Sequence, residues 1–460
     1  MRQLLSIVIA LFMFFPGTPA SAGVPASFYA VEVDGHPISM VNVDLSSPGV
    51  QIRPMLANGR TGQTADLASM AKASGALAAV NGTFFNAYSD MTSWGTIMAD
   101  GVLYRAGNAG GAVGITADGR VKVARLRVRI EGGINGIETW PNNWYAWDVN
   151  RNVEDPQAVV IFTPSFGQAI QAPAGTTVTI RQGRVAAIQA GPVQIPSDGY
   201  VIGFGRGAGE IASRFAVGDS VQLRYTFADE KGNRLDWDDV RHIVQAGPLL
   251  VRDGKDVLDL AADQMKEPKF FTKASWSFIG VKPDGTLTMG TVSGVTMAEM
   301  ARTVQKLGLR DAIGLDGNAS CGLYYSGEYK VRPGRKLSNC IVVTVDGEDS
   351  VRIRVGGTLL PVNGYLSRPG TTMVPVRGVL EHLGATVFWD QRERKATVLL
   401  NGREVVLRSG GKEAVVDGQV VPLQVAPEVR NGRTFIPLRF VSENLGLKPN
   451  WDQETRTVSF

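Results

Sequence analysis

The sequence predicts an α+β fold: a mixed-sheet domain over residues 23–348, then a smaller domain over 349–460 built from a duplicated strand–helix–strand unit. Three observations carry this. Short apolar or alternating runs broken by turns dominate the first part, and 54 glycines suit a turn-rich, strand-rich protein. Two helix–strand units interrupt those runs, one starting at Thr64 and one at Thr296. Finally, Thr372-Met373-Val374-Pro375-Val376-Arg377 returns as Thr434-Phe435-Ile436-Pro437-Leu438-Arg439. Trp389-Asp390 returns as Trp451-Asp452 at the same offset of 62 positions.

The N-terminus reads as a targeting segment. Arg2 precedes an apolar run from Leu4 to Phe15, and Ala20-Ser21-Ala22 offers a small-residue cleavage site. The run is short for a bilayer crossing. A signal peptide over 1–22 is therefore expected, with cleavage near Ala22 and a product that is secreted or held in the cell envelope; an uncleaved anchor is the alternative. Val41 to Leu45 alternates apolar and polar, as a half-exposed strand does.

The first helix–strand unit follows. Thr64 can cap a helix whose Leu67, Met70 and Ala71 share one face. Gly75 ends it, and Ala76 to Val80 reads as a buried strand stopping at Asn81-Gly82-Thr83-Phe84-Phe85-Asn86. The middle section, Val121 to Asp263, is mostly strands of period two. Within it, Trp140 to Asp148 is unusually aromatic, either packing at a core edge or offering flat faces to sugar rings.

The second unit is the sharper one. Thr296 and Glu299 stand three apart, the spacing of a capping box. Met297, Met300, Ala301, Val304 and Leu307 form one stripe, and Gly308 stops the helix. Ala312-Ile313-Gly314-Leu315 is uniformly apolar, the pattern of a strand covered on both faces. Asp316 then emerges at its C-terminal end, where ligands sit in open sheets with crossing helices. Each unit thus delivers polar side chains beside a glycine. The plainer reading is that Asp-Gly and Asn-Gly are hairpin turns, a dipeptide this chain uses often.

Composition narrows the chemistry. A formal charge of +4 over 460 residues, with no basic run, argues against nucleic acid as a partner. The three histidines have no metal-ligand spacing, and no Gly-x-Ser-x-Gly elbow or phosphate-binding loop appears. The only two cysteines, Cys321 and Cys340, flank the hairpin signal Tyr324 to Tyr329. On adjacent strands in an exported protein they form a disulfide contributing about 3 kcal/mol in the chain-entropy model; otherwise they are two buried thiols.

The span from about Gly62 to Val345 resembles the phosphodiester glycosidase family. The resemblance rests on ordered motifs: Asn81-Gly82-Thr83-Phe84-Phe85, Val149-Asn150-Arg151 leading to Val159 through Pro164, Ile195 through Tyr200, Gln245 through Leu250, Leu315-Asp316-Gly317, and Arg335 with Asn339. This chain departs from the family's Asp-Gly-Gly-Gly-Ser-Ser at Asn318, Ala319 and Cys321, and has Thr83 where a second glycine is usual. Trp276 stands at a place commonly held by Arg, with Lys273 nearby. Residues from about Arg352 to Phe460 are similar to the stalk domain named after the N-terminal region of copper amine oxidases, which implies neither copper nor oxidation.

The resemblance implies hydrolysis of a sugar-1-phosphodiester in an envelope or extracellular glycopolymer. Asp316 is the expected carboxylate, facing the sugar or holding a divalent cation such as calcium or magnesium; no cofactor is otherwise called for, and copper is not expected. Arg335 and Lys273 would take phosphate oxygens, and Asn81, Asn318 and Ser320 would orient the sugar. Thr83, Phe84, Arg151 and Asn339, which fall in the shared motifs, complete the expected binding set. The implied partner is a glycan or sugar-phosphate polymer, with the stalk serving cell-wall association. The rival reading is a non-catalytic glycan-binding or structural surface protein on the same fold.

Overall fold

A computed structural model describes residues 25–460 apart from 48, 153–154, 172–174, 346, 348–349, 357, 361–362, 368–369, 391–392, 431–432 and 454. The expected signal peptide lies outside the described residues. In chain order, the elements that build the site are β1 (Ala26–Val33), β2 (His36–Val43), β3 (Val50–Leu56), α1 (Leu67–Ser74), β4 (Ala78–Asn81), β5 (Ile97–Ala99) and β6 (Val240–Gln245). There follow β7 (Leu249–Arg252), β8 (Ala274–Val281), β9 (Leu287–Val295), α2 (Met297–Lys306), β10 (Asp311–Gly317), β11 (Leu323–Tyr325), β12 (Glu328–Val331) and β13 (Asn339–Val345).

Two sheets face one another. The first runs β1-β2-β9-β8-β10-β7 and ends on Lys255–Asp256; the second runs β12-β11-β4-β13-β3. Because side chains alternate along a strand, each sheet contributes one face to a shared core. Val41, Val43, Ile279, Met289, Ile313 and Leu315 come from the first sheet, and Ile52, Ala78, Val80, Leu323, Ile341 and Val343 from the second. A helix covers each outer face. On the first, α2 lays Met297, Met300, Ala301 and Val304 against Trp276, Phe278 and Ala312. On the second, α1 lays Leu67, Met70 and Ala71 against Ala79, Cys340 and Val342. β10 is thus covered on both faces, as its run of apolar residues requires.

Among the described residues the chain is predominantly β, with few and short helices. Among the described residues only two strand pairings are parallel, Asp148–Val149 with Val159–Phe162 and β14 (Ser350–Val355) with Thr457–Ser459. β10 pairs antiparallel with both β7 and β8. Asp316 therefore does not sit at the C-terminal edge of a parallel sheet. It sits where the two facing sheets converge.

Local signals held unevenly. The capping box of α2 forms in both directions, with Thr296 N donating to Glu299 Oε2 at 2.8 Å and Glu299 N to Thr296 Oγ1 at 3.2 Å. α1 instead begins after Asp66, not Thr64, and no side chain caps it. In the last domain, Val374 and Ile436, counterparts in the repeat, are register partners across adjacent strands. Their following segments differ: α3 (Leu438–Leu445) is a helix, but Val376–Leu380 is kinked by extended Arg377 and by Gly378 at φ +84°. Gly378 stands where the second copy has Phe440, a side chain partly buried against the last domain's core.

The disulfide expectation is corrected: Cys321 and Cys340 are free, buried thiols. Cys340 pairs with Asn81 on one side of β4, while Cys321 leads into β11 on the other side. A strand therefore separates them, about 9.5 Å of sheet, beyond the Cα reach of a disulfide.

Candidate active site

Two buried amides hold the site's backbone: Asn81 joins the two sheets, and Asn339 ties β13 to the loops that carry Thr83 and Ser93. Asn81, 1% exposed, ends β4. Its Nδ2 donates to Asp316 O at 2.8 Å, and its Oδ1 accepts from Ser277 Oγ at 2.6 Å and Gly322 N at 3.0 Å. Asp316 N returns a bond to Gly82 O at 3.1 Å. Asn339, 2% exposed at the start of β13, accepts from Thr83 N at 2.8 Å and donates to Ser338 Oγ at 2.8 Å and Ser93 Oγ at 3.2 Å. Gly82 permits this: a Cβ there would lie 2.0 Å from Asn339 Oδ1. Buried amides this fully bonded are costly to disturb, so the fold fixes the two polar tips against each other.

These amides therefore position the site and do not face a ligand, which corrects the sugar-binding role expected of Asn81 and Asn339. Thr83 is buried too, its Oγ1 accepting from Gly95 N at 3.2 Å. Phe84 is 3% exposed and packs edge-on to Phe270 and Trp276.

Asp316 itself is half-buried. Gly317 N donates to its Oδ1 at 2.8 Å, and Ser320 also hydrogen-bonds its carboxylate. Burial pushes its pKa up to about 6, against the opposing pull of Ser320, the Gly317 N–H, Lys269 and Arg335. The two cations arrive from separate segments. Lys269 lies in the turn Pro268–Phe271, its Nζ 4.7 Å from the ring centres of both Phe84 and Trp94. Arg335 lies in the loop between β12 and β13; its Nη2 donates to Tyr88 Oη at 3.3 Å and its guanidinium lies 5.4 Å from that ring's centre. Tyr88 is 92% exposed and Trp94 40%, so aromatic surface borders the cations.

Lys269 was not among the expected residues. Lys273, which was, points away and lies 3.6 Å from Glu299 at the start of α2. The signal that could have found Lys269 is its place beside Phe270 and Phe271, since a lysine among aromatic residues is held by cation–π attraction. Trp276 does not plug the site. It is fully buried beneath Gly317, stacked on Phe270 at 5.7 Å, and a Cβ on Gly317 would meet it at 2.2 Å. Asn318 is exposed at φ +55°, a left-handed conformation Asn tolerates, so the backbone a glycine would favour is kept. Arg151 is exposed and lies 4.0 Å from Asp148, whose carboxylate is paired with buried Arg105. Among the described residues no three His, Cys, Asp or Glu side chains gather as a metal site. The aromatic stretch divides: Trp144 is buried against Gly132, while Trp140, Tyr145 and Trp147 are exposed.

Residues 174–344 match the family model of the phosphodiester glycosidase, and residues 354–460 that of the copper amine oxidase N-terminal domain. No curated protein matches. The structure is similar to that of a hypothetical protein from Synechocystis, at 24% identity and a TM-score of 0.59, over 69% of this chain and 61% of that one. It is also similar to a protein of Burkholderia pseudomallei K96243, at 19% identity and a TM-score of 0.55, over 67% of this chain and 74% of that one. Both are likenesses of fold; this chain spans less than two thirds of the Synechocystis protein. The chain therefore has, in this order, a region similar to the phosphodiester glycosidase family and one similar to the copper amine oxidase N-terminal domain.

Proposed function

We propose that the protein is an exported hydrolase of sugar-1-phosphodiesters in an envelope or extracellular glycopolymer, with residues 23–348 forming the catalytic domain and 349–460 a stalk for attachment. The observation that carries this reading is the Asp316 carboxylate, half-buried and held by Ser320 and Gly317, with Lys269 and Arg335 both acting on it. In such a reaction the bond from the anomeric carbon to the phosphate oxygen breaks. The pair of electrons leaves with phosphate, a good leaving group that needs little acid assistance, positive charge develops on the sugar, and a water oxygen bonds to the anomeric carbon as its proton passes to solvent. One carboxylate facing the sugar and two cations facing phosphate oxygens oppose both charges where they form. A carboxylate with a pKa near 6 is largely ionised at neutral pH yet close enough to exchange a proton with water. Tyr88 and Trp94 offer flat apolar surface to the sugar's C–H face.

The test is turnover of a small sugar-1-phosphodiester by purified protein and by Asp316→Asn. Equal rates would remove Asp316 from the mechanism. A second reading, a glycan-binding module without turnover, is favoured by the company Asp316 keeps: among the described residues the charged groups that act most on it are two cations, Lys269 and Arg335. Retained glycan capture with no hydrolysis, with and without added calcium or magnesium, would select it.

A further inference from the structure

β5 joins two polar surfaces. Just before it, Gly95 N donates to Thr83 Oγ1 beside the site; just after it comes the turn that begins at Asp100. There a cleft of about 750 Å³ opens between the Asp100–Val102 and Thr116–Gly119 turns, the start of β3, and β14 of the last domain. This volume is within the range of small-ligand sites.

The charge in this cleft is lopsided. On β14, Val351 and Ile353 are buried in the last domain's core, so alternation turns Arg352 and Arg354 outward to line the cleft. Arg241 lines the opposing wall and is exposed. Arg53, buried on β3, stands behind them and acts on Asp100, as Arg352 and Arg354 also do. Among the described residues that line the cleft, the acids are Asp100 and Asp118. Asp100 is largely buried, and Asp118 is already paired with Arg120 at 2.8 Å. His242 adds no positive charge at neutral pH, because burial with Arg53 and Arg241 nearby lowers its pKa to about 4. Every basic side chain lining the cleft other than His242 is arginine, whose planar fork binds two phosphate oxygens at once and stays charged.

We propose that this cleft binds phosphodiester groups of a polyanionic chain, holding a glycopolymer at a second point remote from Asp316. The inference deepens the hydrolase reading, from a small sugar phosphodiester to a polymer gripped at two places. It also gives the last domain a role, since neither wall alone assembles the cluster.

The probe is poly(glycerol phosphate), titrated into full-length protein at low and high salt, with inorganic phosphate as competitor and neutral dextran as control. The double variant Arg352→Gln/Arg354→Gln and, from the other wall, Arg241→Gln should each weaken polymer binding by about tenfold at low salt and flatten its salt dependence. Two variants on separate domains guard against misfolding of either. Unchanged affinity in both, or dextran bound as tightly as the polymer, would overturn the proposal. So would inorganic phosphate binding with the same arginine dependence while the polymer does not bind. Wild-type turnover of the small phosphodiester is a separate readout. Its absence alongside arginine-dependent polymer binding would remove the hydrolase reading and leave the cleft standing.

Discussion

Asp316 and Asp263 are both aspartates whose pKa burial pushes to about 6, and their surroundings divide them. Asp263 is 0% exposed, and Arg125 grips both its oxygens, Nε at 3.1 Å and Nη2 at 3.2 Å, while Leu249 N donates a third bond at 3.1 Å. Asp316 is open to solvent on one side, is bonded to neutral donors, and has its cations held nearby by aromatic rings. A perturbed carboxylate is therefore no marker of chemistry by itself. What separates the two is whether the cation is spent on the carboxylate or left to meet a ligand.

The sharpest way to break this contrast is to remove each charge. Asp316→Asn should lower turnover by about 10²–10⁴-fold with little loss of stability. Asp263→Asn should do the reverse, leaving Arg125 buried and unpaired at a cost of about 3–5 kcal/mol, read by urea denaturation. If Asp263→Asn abolished activity in a protein of unchanged stability, the division would fail.

Titration comes next in size. A carboxylate raised in the folded state binds protons more tightly there than when unfolded. Its stabilising contribution is complete below the unfolded pKa of about 4 and is lost as pH rises through about 6. The stability of wild type relative to Asp316→Asn should therefore decline across that window and be flat above it. The turnover rate should rise over the same window if the ionised form of Asp316 works.

How much of this the sequence could show depended on how local the signal was. The α2 capping box, the stripe behind it and the doubly covered β10 follow from spacing alone, and so does the arrival of Asn81 and Asp316 at strand ends. The antiparallel pairing of β10 with β7 and β8 does not, because a short apolar run reads the same in either orientation. The roles of Asn81 and Asn339 are not legible for a related reason: an amide in a shared motif looks alike whether it binds a ligand or holds the backbone around it. The repeat predicts a helix in both copies, Val376 to Leu383 and Leu438 to Leu445; the first is instead kinked at Arg377 and Gly378, where the second copy has Arg439 and Phe440.

The cations offer a finer contrast. Lys269→Met should lower turnover or weaken phosphate-bearing substrates by about tenfold, the worth of one charge-assisted contact. Lys273→Met should cost less than about 0.5 kcal/mol, because its exposed pairing with Glu299 is of the kind that contributes little. Equal effects would put both lysines at the site.

The smallest expected effect concerns the thiols. Cys340 Sγ lies 3.8 Å from Met70 Sδ under α1, Cys321 lies against Ser277 beside Asp316, and β4 runs between them. Burial pushes both thiols up to about 12, far from the thiolate form that reacts. A reductant should then shift the unfolding free energy by less than about 0.5 kcal/mol, where breaking a disulfide across this loop would cost about 3 kcal/mol. Alkylation without reductant should leave the native protein untouched and label both cysteines once urea exposes them. A protein that resists labelling in urea until reduced would mean that the two are joined, and that β4 does not hold them apart.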